Sequence, residues 1–236
     1  MKQSSFQKDD PILRKKLISV LTEDNDNLLV GIPSFLNDMS KFTINSKKYW
    51  KLFLYKSYKK FKKYLQKDKV YCDSYITRPY MDLKNKNKDA VENRFNRLKK
   101  IWDKKNIVIV EGEYSRLGIN NDLFNNAKSI KRIICPSENA FEKYNEILNS
   151  IKKIPKDNLI MLSLGPTATV LASDLSMIGY QAIDIGHIDI EYMWFKMGAK
   201  RKIKIDGKYV NEVDNNNPIV ELSDDNYKKQ IIKIIK

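Results

Sequence analysis

Two hydrophobic periods alternate along the chain. Short runs rich in β-branched residues, at 106–110, 131–135, 159–163 and 181–185, are separated by longer stretches in which apolar residues recur every three or four positions. The first pattern is typical of buried strands and the second of amphipathic helices. Their alternation predicts an α/β fold, with a Rossmann-like, mostly parallel sheet and helices on both faces. Because no repeat or interdomain linker interrupts it, residues 1–236 are expected to form a single domain.

The pattern changes after the last of these strands. Two short runs flank Asp206 and Gly207, a dipeptide that often closes a two-residue turn, so residues 203–210 are predicted to form a β-hairpin. Residues 223–225 supply capping side chains, and the isoleucines within 231–235 suit one face of a final helix. A C-terminal hairpin followed by a helix is therefore expected.

The longest predicted helix, over residues 50–65, carries an aromatic stripe. Trp50, Phe53 and Phe61 lie on one face, and the opposite face is almost entirely lysine. We interpret the stripe as core packing. A platform for a sugar or for a membrane surface is the alternative.

The chain is strongly basic, with a formal net charge of +15. Clustered basic residues can attract phosphate, which raises the possibility of a nucleic-acid or anionic-membrane partner. However, only seven of the 44 basic residues are arginine, most lysines are scattered, and no nucleic-acid reader motif is present. We expect no nucleic-acid partner, and peripheral contact with a membrane remains open.

No signal peptide or membrane span is evident in the sequence. The first 16 residues lack an apolar run, and no stretch approaches 18 uninterrupted apolar residues. Cys72 and Cys135 lie apart without metal-ligand spacing, which argues against a disulfide framework. A cytoplasmic location is expected.

The functional residues should lie just after the strands, because ligands of open parallel sheets bind at the carboxyl ends of the strands. One such segment is Gly165-Pro166-Thr167, with Thr169 close behind. Glycine, then a proline suited to a first helical turn, then two hydroxyls predict a helix start whose free N–H groups could bind a donor phosphate. A purely architectural junction is the alternative.

A second segment holds the sole histidine of the sequence, His187, followed by Asp189 and Glu191. In an extended backbone, the period of two would place all three on one face. Two carboxylates beside an imidazole and a nucleotide phosphate would suit Mg²⁺ or Mn²⁺. Alternatively, His187 is a hydrogen-bonded core residue, and the carboxylates cap the next helix.

Two further segments add polar side chains near strand ends. Thr77 and Arg78 follow one strand, and Glu113 and Arg116 follow another. Either guanidinium could clamp a diphosphate, or could instead pair with a nearby carboxylate. Glu113 could serve as a general base, or could simply cap its loop.

These segments resemble the GT-D-fold glycosyltransferases, a bacterial family first known as a domain of unknown function and linked to glycosylation of surface adhesins. The matching stretches lie at 73–80, 109–124, 132–144, 162–175 and 182–194. Five ordered blocks are more specific than any one motif.

The resemblance implies a nucleotide-sugar donor such as UDP-glucose, a glycan acceptor on a glycoprotein or surface polysaccharide, and a divalent metal held by an Asp-x-Glu motif, matched here by Asp189 and Glu191. Relatives begin with a strand bearing Asp-Gly-Glu, which this sequence lacks. A catalytically impaired binding or partner subunit is therefore the alternative to an active hexosyltransferase.

Overall fold

A parallel sheet organises the computed structural model, which describes residues 6–213 and 224–236. In chain order the strands are β1 (Gly31–Ile32), β2 (Cys72–Asp73), β3 (Asn106–Gly112), β4 (Ser129–Cys135), β5 (Leu159–Ser163), β6 (Ala182–Asp184) and β7 (Ile231–Ile234). The last five form one sheet in the order β6-β5-β3-β4-β7, and every pairing within it is parallel. The predicted α/β, Rossmann-like fold is confirmed.

Helices cover both faces of this sheet. In chain order, the helices of the described residues are α1 (Pro11–Thr22), α2 (Ile44–Lys62), α3 (Lys88–Lys99), α4 (Tyr144–Ile151), α5 (Pro166–Met177), α6 (Ile188–Lys196) and α7 (Asp225–Gln230). Of these, α2 packs on a smaller unit around β1 and β2 and not on this sheet. Alternate residues of β3 divide the core: Ile107 and Ile109 pack with α3 and α6, whereas Val108 and Val110 pack with α1, α4 and α5. Because β3 lies at the centre and is buried on both faces, its run is apolar without alternation.

A smaller unit lies outside the main sheet. There β1 pairs in parallel with β2, and neither strand joins the large sheet. Phe35, Phe42 and Tyr75 form its own buried cluster, against which Trp50 and Leu54 of α2 pack.

The interpretation of Trp50, Phe53 and Phe61 as core packing therefore holds for only part of that aromatic face. Phe53 is 46% exposed and Phe61 half-buried. Within the described residues, no helix has the length and apolarity needed to cross a membrane.

The C-terminal expectations were wrong in detail. Residues 203–210 contain a turn, closed by a hydrogen bond from the Lys208 N–H to the Ile205 carbonyl, but no strands, so the predicted hairpin does not form. The Tyr209 N–H bonds instead to the Tyr114 carbonyl, on the loop after β3.

The final helix α7 ends at Gln230, and the isoleucines that follow form β7 at the sheet edge. Their β-branched side chains favour this extended pairing. The predicted capping group is partly confirmed, because Asp224 accepts a hydrogen bond from the Tyr227 N–H, while residue 223 lies outside the described residues.

Candidate active site

A cleft of about 720 Å³ opens at the carboxyl ends of β3, β5 and β6. This is the edge at which parallel sheets place their ligands. Its walls come from the ends of these strands, from the segment at 209–211 and from residues 6–17, and they include Phe6, Ser115, Leu117, Ser163, Gly165, Pro166, Gly186, His187, Asp189, Ile190, Tyr209 and Asn211.

The Gly165 helix start forms one wall of the cleft, as predicted. Gly165 has φ +56° and ψ −139°, a conformation that favours glycine, and Pro166 begins α5. The Phe6 ring packs so closely that a Cβ added at Gly165 would come within 2.5 Å of it. The two threonines point elsewhere, since Thr167 is fully buried and the Thr169 hydroxyl donates to Asp184 at 2.8 Å.

His187 also lines the cleft, where it takes part in a chain of hydrogen bonds. Its Nδ1 is 2.9 Å from a guanidinium nitrogen of Arg78, and its Nε2 is 3.0 Å from the Asn211 Oδ1. Because a guanidinium can only donate, Nδ1 must accept and Nε2 must carry the proton. Burial and the charge of Arg78 lower the pKa of His187 to about 4. The imidazole is therefore neutral at physiological pH, and it orients the Arg78 side chain.

Arg78 is fixed from its other side by Glu212, at 2.8 Å. Burial alone would raise the pKa of Glu212, but the charges of Arg78 and Lys202 hold it at about 2. Lys202 lies 3.1 Å from the same carboxylate. The guanidinium therefore pairs with a carboxylate, Glu212, in a charged network behind His187, and its role as a diphosphate clamp stays a prediction.

Asp189 and Glu191 do not share a face, contrary to expectation. His187 caps α6, so both carboxylates lie in the first turn of a helix, about 200° apart around its axis. Asp189 lines the cleft. Glu191 is buried behind it and accepts the Tyr80 and Met81 N–H groups at 2.9 and 2.7 Å.

The two carboxylates have different surroundings. One oxygen of Asp189 accepts the Gly118 N–H and the Asn121 amide at 2.7 and 2.8 Å, and the other lies 2.6 Å from the buried Lys208 ammonium. Burial raises the pKa of Glu191 to about 7, against the opposing effects of the Met81 N–H and the Arg78 charge.

These positions bear directly on the predicted metal site. Asp189 has both oxygens engaged by protein donors, and Glu191 points away from it. Across residues 6–213 and 224–236, no three His, Cys, Asp or Glu side chains converge in a way that could hold an ion. As placed here, the pair does not fit a shared Mg²⁺ or Mn²⁺.

Three other residues predicted to belong to the site, Glu113, Arg116 and Thr77, do not line the cleft. Glu113 is exposed. Arg116 is buried with φ +48° and donates to the Gly207 carbonyl at 2.8 Å. Thr77 packs beneath Gly186, where an added Cβ would meet its hydroxyl at 3.0 Å.

Sequence reasoning missed several residues that shape the cleft. Lys208 was assigned to a hairpin strand, and Asn211 and Glu212 lie in a segment without periodicity. Asp184 accepts the Gly186 N–H at 3.0 Å and so fixes the turn after β6. The sole available signal was the carboxylate of Asp184 in an otherwise apolar strand.

Comparison with known proteins identifies the family. The profile of the glycosyltransferase GT-D fold matches residues 1–213. The chain belongs to the GT-D-fold glycosyltransferase family. The earlier resemblance is confirmed, and the cleft therefore lies in a GT-D fold.

Solved structures agree with this assignment. A structure whose subject is the distinct glycosyltransferase fold of the highly conserved domain of unknown function 1792 is 40% identical, with a TM-score of 0.92, over 100% of this chain and 84% of its own. A glycosyltransferase of the same domain type from Streptococcus sanguinis is 38% identical, with a TM-score of 0.92, over 98% of this chain and 86% of its own.

Two curated relatives are longer proteins. Glycosyltransferase GlyD of Streptococcus pneumoniae is 39% identical over 92% of this chain and 27% of its own length. The probable glycosyl transferase Gly of Streptococcus gordonii is 39% identical over 96% of this chain and 33% of its own. The chain thus spans between a quarter and a third of the length of these relatives.

Proposed function

We propose that this chain binds a nucleotide-diphosphate sugar, UDP-glucose, in the cleft and transfers the hexose to a glycan acceptor on a glycoprotein or surface polysaccharide in the cytoplasm. The observation that carries the proposal is one cleft in a GT-D fold that is lined by both the Gly165 helix start and His187, with the Arg78 guanidinium held 2.9 Å from the imidazole.

The departing nucleoside diphosphate carries the charge that develops during transfer. The positive end of the α5 dipole and the fixed guanidinium of Arg78 would stabilise that charge without reorganisation. His187 is a positioning residue in this scheme, because its neutral Nδ1 holds the guanidinium at 2.9 Å.

Of the three carboxylates singled out as candidates for catalysis or metal binding, Glu113, Asp189 and Glu191, Asp189 is the one that lines the cleft. If the reaction inverts stereochemistry, Asp189 would accept the proton of the acceptor hydroxyl only after that hydroxyl displaced the Lys208 ammonium from its second oxygen. The Gly118 N–H and the Asn121 amide would hold the first oxygen in place during that exchange.

The requirement for a divalent ion stays a prediction of the family resemblance. Because Asp189 and Glu191 do not converge, no step of the proposed transfer is assigned to an ion on this pair. Comparing turnover in Mn²⁺ and in EDTA tests the requirement separately from the role of the cleft.

The test is release of UDP from UDP-glucose in the presence of a glycan acceptor. Arg78→Gln should lower kcat/KM at least tenfold, because it removes the charge beside the leaving group. The exposed Lys152→Gln, on the sequence that follows α4, should match wild type. Absence of turnover in a folded wild type that still binds UDP-glucose would favour the impaired binding subunit, and equal rates in both variants would refute the site.

A further inference from the structure

The α2 helix presents an unusual surface. Over Ile44–Lys62 it carries seven lysines and no acidic residue. Among the residues that the structure describes, none of these seven lysines forms an ion pair. A merely solvated helix gains from alternating charges, which this one lacks.

Its outward face also carries apolar side chains. The inward face packs Trp50 and Leu54 against the small cluster beside β1 and β2. Away from it runs a stripe spaced by three or four residues, which we name the α2 stripe: Ile44, Lys48, Leu52, Tyr55, Lys59 and Lys62.

The apolar members of the α2 stripe are open to solvent. Tyr55 is 89% exposed, Ile44 69% and Leu52 56%. Tyr49, beside the stripe, is 63% exposed. A contiguous group of exposed apolar side chains rimmed by charge marks an interaction surface.

We propose that α2 lies flat on an anionic lipid surface. A helix of this length extends about 28 Å, and interfacial helices combine aromatic and aliphatic residues on the contact face with lysines that reach lipid phosphates. Tyr55 and Leu52 would enter the headgroup boundary, while Lys48 and Lys59 bind the anionic headgroups.

Charge and shape favour an anionic lipid surface over a second copy of the chain and over nucleic acid. Pairing of α2 with α2 of a second copy would oppose seven lysines to seven lysines without a carboxylate between them. Nucleic acid would satisfy the lysines and could stack on Tyr55, but it would leave the exposed aliphatic side chains of Ile44 and Leu52 without an apolar partner, which a lipid surface supplies.

The experiment is sedimentation of the full chain with vesicles of phosphatidylcholine, with or without phosphatidylglycerol. Binding is expected only to the anionic vesicles. Lys48→Gln/Lys59→Gln should weaken vesicle binding about 30-fold, because each lysine near an anionic surface contributes about fivefold to the affinity. Leu52→Ser/Tyr55→Ser should weaken it at least tenfold, because less apolar surface is buried.

A matched control removes the same charge elsewhere. Lys152→Gln/Lys153→Gln takes two exposed lysines from the end of α4 and should bind as wild type does, and circular dichroism should be unchanged in every variant because the altered side chains are exposed. Equal binding to neutral and anionic vesicles, equal loss in the α4 control, or binding to single-stranded RNA but not to vesicles would overturn the proposal. Dimerisation abolished by the α2 variants, without vesicle binding, would also overturn it.

Discussion

Asp189 and Lys208 form a buried ion pair in the cleft wall, and breaking it should be costly. Their side chains are 3% and 1% exposed and lie 2.6 Å apart. Asp189→Asn would leave the Lys208 ammonium buried without its counter-charge, and would also turn an amide toward the Gly118 N–H or the ammonium. Breaking one partner of such a pair costs about 3 to 5 kcal/mol, so we expect a fall of that size in the free energy of unfolding.

A double variant separates the interaction between Asp189 and Lys208 from the effect of changing each residue alone. Asp189→Asn/Lys208→Met removes both charges and fills the volume of the lysine stem, so it should be more stable than Asp189→Asn by about 2 kcal/mol or more. Equilibrium unfolding in urea, followed by circular dichroism, measures all four members of the cycle.

Two results would refute this account of Asp189. One is a cost below about 1 kcal/mol for Asp189→Asn, with strictly additive effects in the double variant. The other is stabilisation of the wild-type chain by Mn²⁺ that Asp189→Asn abolishes, because that would make the carboxylate a metal ligand.

Two other predictions concern His187 and Gly165. Burial lowers the pKa of His187 to about 4 in the folded chain, whereas the unfolded imidazole has a pKa of about 6.5, so the unfolded state binds protons more readily at low pH. Wild-type stability should therefore fall by about 3 kcal/mol between pH 7 and pH 4 relative to His187→Gln, measured by urea unfolding at each pH, and parallel curves would disprove it. Gly165→Ala imposes a Cβ at φ +56° and displaces Phe6, so thermal unfolding should show a loss of about 1 to 2 kcal/mol, whereas an unchanged midpoint would contradict the strained helix start.

The sequence predicted the central sheet because its inner strands β3 and β5 are buried on both faces. The runs that form β3, β4, β5 and β6 are largely apolar and bounded by loops. A pattern of this kind can be recognised from the local sequence alone, without knowing which strands lie next to each other. At the C-terminus the same reasoning was wrong. Helix and strand compete for the isoleucines at 231–235, and only the free edge of β4, which no local pattern reveals, decides for β7.

The candidate site was predictable where backbone chemistry determines it. Gly165-Pro166 after β5 required a glycine conformation and a helix start, and both are present. The arrangement of the charges was not predictable, because partners such as Lys208 and Glu212 meet Asp189 and Arg78 only in the folded chain. The period of two assumed after His187 was wrong because α6 begins there.

The most direct test of the proposed donor site is calorimetric titration of UDP-glucose into the full chain, with and without Mn²⁺. The account predicts saturable binding that Gly165→Ala and Arg78→Gln each weaken about tenfold, and that Lys48→Gln/Lys59→Gln on the α2 stripe leaves unchanged. A folded chain that binds no UDP-glucose in either condition, or binding that both cleft variants leave intact, would contradict it.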